Sequence, residues 1–226
     1  MVTAEDLFPK DFIVSLRRPP GYMGASHFHD LQGKPPGTKA DPFRSNERAY
    51  VRAVRGDGGS NVELQRAIDS FVLSGALKLY REARTDFQYR HHTMIVHTSH
   101  LTADQRQQLR IVRELLADGG YQTGESTPRL RALFKTDFAP VARNRAAELP
   151  FPVHFEELEG NFGELYSRLF DGGNPVLLGN SNADADQLAF DTEAVWKIIV
   201  GGSKLSRGFT VEGLTVSYFK RKSPNT

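Results

Sequence analysis

Residues 201–213 read GGSKLSRGFTVEG and bring together side chains suited to holding an anion. Gly201, Gly202, Gly208 and Gly213 allow the backbone positive φ angles and let another molecule approach closely. Ser203, Ser206 and Thr210 add hydroxyls, and Lys204 and Arg207 add two cations. Exposed amides and cations that share a negative charge are the chemistry of phosphate binding. The plainer reading is a decorated loop joining two strands, because glycine-rich loops are common.

Two other apolar runs end in the same way. Thr93–Thr98 (TMIVHT) is followed by Ser99, and Pro175–Leu178 leads through Gly179 to Asn180 and Ser181. The third run, Lys197–Val200, is short and β-branched, and Gly201-Gly202 stops it. In an open parallel sheet the carboxyl ends of the strands lie along one edge, where ligands bind. The polar tips at Ser99, at Asn180 and Ser181, and at Gly201, Gly202 and Ser203 are therefore expected to share a rim.

The elements that would position these tips can be read from periodicity. Ser60 to about Arg84 is the clearest helix: Ser60 and Glu63 have capping-box spacing, and Leu64, Ala67, Ile68, Phe71, Val72, Gly75, Ala76 and Leu79 form one stripe. The small residues Gly75 and Ala76 predict close packing. Thr102 and Gln105 repeat the capping-box spacing and open a helix to about Asp118, with Gly119-Gly120 as its stop. Residues 121–170 are helical in pattern but broken by prolines, with Thr127-Pro128 as a helix start and Phe162, Leu165, Tyr166, Leu169 and Phe170 as an amphipathic stripe. Leu214–Phe219 is a last strand. The fold expected is α/β: a mainly parallel sheet flanked by helices, with a helical insertion at about 121–170.

Residues 1–59 read as an irregular segment with one strand over Phe8–Leu16, and residues 60–226 as the α/β domain. His27, His29 and Asp30 have strand spacing for a metal, but no further ligand stands near them in sequence, so a solvated loop is the better reading. His91, His92, His97 and His100 surround the first strand of the domain and read as core or rim residues. Arg129, Arg131, Arg143 and Arg145 make the insertion basic; a solvated face is the default for them and a DNA-facing surface the sharper reading.

Composition narrows the function classes. The chain has 226 residues, 39% hydrophobic and 25% charged, as in globular proteins. Its 29 basic and 27 acidic residues leave a net charge of +2, so any nucleic-acid surface must come from clustering. With no cysteine, thiol chemistry and thiolate metal sites are excluded. No apolar stretch approaches the ~18 residues of a membrane span and Met1–Lys10 is not a signal peptide, which predicts a cytoplasmic location without a membrane partner. There is no G-x-x-x-x-G-K-[ST] string and no strand ending in an acidic pair. Asp-x-Lys and Glu-x-Lys, the spacing of the commonest restriction nuclease core, are also absent, so neither a catalytic set nor a metal site is assigned.

The stretch IIVGGSKLSRGFTVEGLTVSYF, together with LFPKDFIVSL and HTMIVHTS, resembles the Z-one domain of bacterial restriction and phage-defence proteins described as endonucleases. The resemblance implies a superfamily 2 helicase-like protein in which this region is similar to the second RecA-like lobe. Residues 203–210 would then touch the nucleic-acid backbone and communicate with the nucleotide, with Arg207 and Gly208 as the motif's arginine-glycine pair. Thr210 stands near where many helicases carry an acidic residue, a departure from the pattern. The arginine-finger motif of such proteins would begin just after Thr226, so the resemblance implies a fragment that does not hydrolyse ATP alone. Its implied partners are DNA, the first RecA-like lobe with the downstream segment, and defence-system proteins, with ATP and Mg as cofactors of the full-length protein only. Two functions remain open on these residues: a motor lobe of an ATP-dependent DNA-processing enzyme, and a non-catalytic DNA- or protein-binding module on the same frame.

Overall fold

The computed structural model describes residue 17 and residues 22–55, 61–98, 101–179, 188–201 and 210–220. The chain divides into two units, 1–51 and 52–226. In the first, α1 (Ala25–Phe28), a 3-10 turn (Pro42–Arg44) and α2 (Asn46–Tyr50) are joined by irregular chain. Asp30 organises this unit, accepting from Ser45 Oγ at 2.5 Å and from the Asn46 amide at 2.8 Å. Ser45 in turn caps α2 by accepting from the Arg48 amide. Asp30 is thus engaged in holding a helix start. The strand expected over Phe8–Leu16 lies outside the described residues.

The second unit holds a four-stranded sheet in the order β2-β3-β1-β4, every pair parallel: β1 (His92–His97), β2 (Val176–Leu178), β3 (Trp196–Val200) and β4 (Leu214–Phe219). Helices α3 (Val62–Glu82), α4 (Thr102–Ala117) and α7 (Asn161–Phe170) pack on it, so the architecture is α/β with helices flanking a parallel sheet. Alternation decides which strand residues meet them. Met94, Val96, Val176, Trp196, Ile198, Val200 and Tyr218 share one core with Ile68, Phe71 and Val72 of α3, Val112 and Leu116 of α4, and Leu165 and Leu169 of α7. Ile199 faces the other way, packing with Leu177 of β2 and with Leu188, Phe190, Val195 and Val211 from the connections that follow β2 and β3. Helices therefore cover one face, and the described ends of those two connections lie against the other.

The stripe expected on α3 is buried as read, and a Cβ on Gly75 would stand 2.6 Å from Leu165 Cδ1 and 3.0 Å from His92 Nε2. That closeness is the physical reason for glycine at this point of the helix. Between residues 121 and 170 the chain runs through α5 (Thr127–Leu133), one π turn (Phe134–Phe138), α6 (Ala139–Arg145), a 3-10 turn (Phe155–Leu158) and α7, with no strand, as the proline-broken helical pattern predicts. Lys197 on β3 donates from Nζ to the Leu169 and Asp171 carbonyls at 2.9 and 2.6 Å, closing the carboxyl end of α7 with a cation.

Three helix starts differ from the expectation. Ser126 and Leu101 occupy the cap positions of α5 and α4, so Thr127 and Thr102 are already helical. At α3 Asn61 takes the cap position, Ser60 lies outside the described residues, and Glu63 accepts the Arg55 amide at 2.8 Å. Among the described residues no helix is long and apolar enough to cross a membrane.

Candidate functional site at the carboxyl edge of the sheet

Because all four strands run the same way, their carboxyl ends lie along one edge. The ladder continues just past the strands: the Gly179 amide bonds Val200 O at 2.8 Å, the Gly201 amide bonds Val96 O at 3.1 Å, and the Lys220 amide bonds His97 O at 2.9 Å. With neighbouring strands about 4.8 Å apart, the ends of β2, β3 and β1 fall within about 10 Å of one another. Gly201 is buried within this ladder and Thr210 is exposed on the returning chain. Ser99, Asn180, Ser181, Gly202, Ser203, Lys204, Ser206, Arg207 and Gly208 lie outside the described residues. They belong to segments that leave this edge directly after Thr98, Gly179 and Gly201.

The described parts of two connections lie against opposite faces of the sheet. The connection after β1 enters α4, which packs in the core on the helix-covered face. The connection after β3, β1's neighbour, returns with Val211 packed against the opposite face. In open α/β sheets, adjacent strands whose connections run to opposite faces flank the position at which ligands bind. Thr98, the first residue past β1, donates from Oγ1 to Gln108 Oε1 of α4 at 3.2 Å, which ties the end of the strand to the helix. No spacing pattern pointed to Gln108, because its partner is set by how α4 folds back over the strand.

Gly213 has a different role from the one its place in the loop implies. Its φ is +64°, and a Cβ there would stand 2.5 Å from His91 Cβ and 2.6 Å from the His91 carbonyl carbon and oxygen. The close approach it permits is that of β4 to β1, with the Thr93 amide bonded to Gly213 O at 3.1 Å. Its conformational freedom serves the fold.

At the amino ends of the strands a second polar cluster runs from the buried His92 out to the half-buried Lys78 and Thr215 and the exposed Glu212. His92 is fully buried, stacked on Phe71, and bonded through Nε2 to Phe71 O at 2.9 Å and through Nδ1 to Thr215 Oγ1 at 3.1 Å. A carbonyl only accepts, so Nε2 carries the proton and Nδ1 accepts. Burial holds the ring well below its ordinary value of 6.5, and the charge on Lys78 lowers it further. Lys78 reaches Thr215 Oγ1 at 2.9 Å and His91 O at 3.1 Å, and burial brings its amine down to about 8 against the opposing pull of Glu82. His91 is also lowered by burial, and its Nε2 lies 3.4 Å from Glu212. These groups lock α3, β1 and β4 together, in keeping with the reading of His91 and His92 as core histidines.

A groove of about 560 Å³ opens beside α3, α4 and α5, lined by Val62, Gln65, Arg66, Leu115, Arg129 and Leu133 among others. Its wall contains a buried carboxylate, Asp69, which accepts from Tyr121 Oη at 2.6 Å and from Arg129 Nε at 2.7 Å. Arg129 also donates from Nη2 to Asp69 Oδ1 and to Gly119 O. Arg131 pairs with Glu156 at 2.8 Å. Two of the four arginines of the insertion, Arg129 and Arg131, are thus paired with carboxylates while staying about half exposed. Among the described residues no group of three or more His, Asp and Glu side chains is placed to hold a metal.

The Z1 domain family model matches residues 63–226, which include the sheet, α4, α7 and all but the first residue of α3. No curated protein and no solved structure matches the chain.

Proposed function

The chain belongs to the Z1 domain family, and on that premise we propose that the carboxyl edge of its sheet binds phosphate, from nucleic-acid backbone and from nucleotide, as one lobe of an ATP-dependent DNA-processing protein. The observation that carries this reading is that α4, after β1, and Val211, after β3, pack on opposite faces of the sheet, since the connection leaving β3 is the one that bears Lys204, Ser206 and Arg207. In the RecA-like reading, this lobe faces a first lobe that supplies the phosphate-gripping loop, and the pair holds ATP and Mg between them. Arg207 and Lys204 then contact phosphate oxygens, and the glycines beside them let the ligand reach backbone amides.

Binding of a labelled single-stranded oligonucleotide to the 226-residue chain, followed across salt concentrations, tests the reading. The expected result is an affinity that falls as salt rises, with a shallower slope for Lys204→Ala and Arg207→Ala because each removes a phosphate contact. In the full-length protein Arg207→Ala is expected to abolish DNA-stimulated ATP hydrolysis. An unchanged rate assigns the edge to a non-catalytic binding module, and an oligonucleotide affinity indifferent to both substitutions overturns the phosphate reading.

A further inference from the structure

We propose that His97 and Phe219 form a stacking platform for a nucleobase beside the carboxyl edge. The proposal rests on the phosphate reading of that edge and adds the part of the ligand that phosphate chemistry does not address.

The two residues are the last of β1 and β4 and are paired in register. Their rings are stacked, with centroids 4.9 Å apart and planes 8° from parallel. His97 follows the alternation of Thr93 and Ile95, on the opposite side of β1 from Met94 and Val96, so the stack lies away from the helix-covered core. Phe219 is 57% exposed although His97 covers part of one ring face. The other face is therefore the open one. Two parallel rings stacked face to face leave the outer face of the Phe219 ring for a third planar π system, which binds it by offset stacking.

The position selects the occupant. Gly201 bonds Val96 O, so the connection bearing the phosphate-binding residues leaves the edge beside the residue that precedes His97. Lys220, whose amide bonds His97 O, places a further cation directly after Phe219. A base joined by one sugar to a phosphate spans from a cationic edge to a neighbouring aromatic surface, and single-strand binding proteins combine those two elements. Every base has a π face, so the platform is indifferent to sequence.

The test uses the full 226-residue chain with three probes: a dT oligonucleotide, an abasic oligonucleotide of the same length, and ATP. The abasic strand keeps the phosphates and removes the bases. The expected result is about tenfold tighter binding of the dT strand than of the abasic one. Phe219→Ala should erase that difference and leave the abasic affinity unchanged, and His97→Ala should reduce it. Phe219→Trp should retain it and show tryptophan fluorescence quenching on addition of the dT strand, over the steady background of buried Trp196. Loss of ATP binding in Phe219→Ala with unchanged dT binding supports the platform and assigns the base to the nucleotide. Equal affinity for dT and abasic strands, with ATP unaffected by Phe219→Ala, overturns the platform and leaves the phosphate reading standing. If the chain binds none of the probes, the phosphate reading fails and takes the platform with it.

Discussion

His92 lies flat against Phe71, with ring centroids 4.1 Å apart and planes 6° from parallel, and its Nε2 donates to the same residue's carbonyl. An ionisable residue at the first position of β1 thus serves as a core aromatic. Its neutrality is a condition of the fold.

A pH dependence follows from this cluster. His92 is held well below 6.5 by burial, so as pH falls through 6.5 and below the unfolded chain takes up a proton that the native chain refuses, and stability is lost. Lys78 acts at the other end: its native amine titrates at about 8 and its unfolded amine at 10.5, so the unfolded chain holds more protons between these values and stability rises by up to about 3 kcal/mol. Urea midpoints measured from pH 5 to 10 should climb in both windows. His92→Phe should flatten the acid limb and Lys78→Met the alkaline one. A midpoint that falls between pH 8 and 10 in the native sequence would refute the assignment to Lys78.

Gly213 and Gly172 separate two kinds of backbone cost. Both have positive φ, +64° and +67°, but a Cβ on Gly172 meets nothing within 4 Å, whereas on Gly213 it strikes the His91 backbone. Gly172→Ala should therefore cost only the left-handed conformation, about 1 kcal/mol. Gly213→Ala adds a clash that no rotamer relieves and should lose at least twice as much, read as the difference in thermal midpoints. Equal losses would mean that β4 shifts away from His91 without penalty.

The buried pair Asp69–Arg129 is expected to be costly to break from one side. Arg129→Met leaves the carboxylate with Tyr121 and Gln65 alone, and should destabilise by about 2–3 kcal/mol, below the usual range for a buried pair because Arg129 is 42% exposed. Asp69→Leu combined with Arg129→Met should recover much of the loss. Chemical denaturation of the two single variants and the double variant gives the coupling, and strict additivity would show that the two groups act independently.

What could be read from the residues, and what could not, follows from the range of the forces involved. The α3 stripe and the four strands are local patterns of burial, and each strand stands within a residue of where periodicity puts it. The start of β1 at His92 and of β3 at Trp196 was missed by reading only the aliphatic run, since a stacked imidazole and an indole fill a core equally well. The Asp69–Arg129 contact joins residues 60 apart, and the stack of His97 on Phe219 joins two strands 122 apart in register, so no local spacing announces either. Strand order likewise depends on how the chain crosses the sheet. Of the anion-site residues, Gly201 and Thr210 have places in the structure, one in the ladder and one exposed, and the remainder of that reading rests on the segments' points of departure.

The lysine that closes α7 gives β3 a mechanical character. Its amino end is lashed to the last carbonyls of α7 through Lys197, its flanks are laced to β2 and β1, and its far end hands over to the connection at Gly201. A strand of five residues, about 17 Å long and bound on both sides, neither stretches nor slides without breaking two ladders at once. A pull at its Gly201 end is therefore shared with β1 and β2 through the two ladders before it reaches α7.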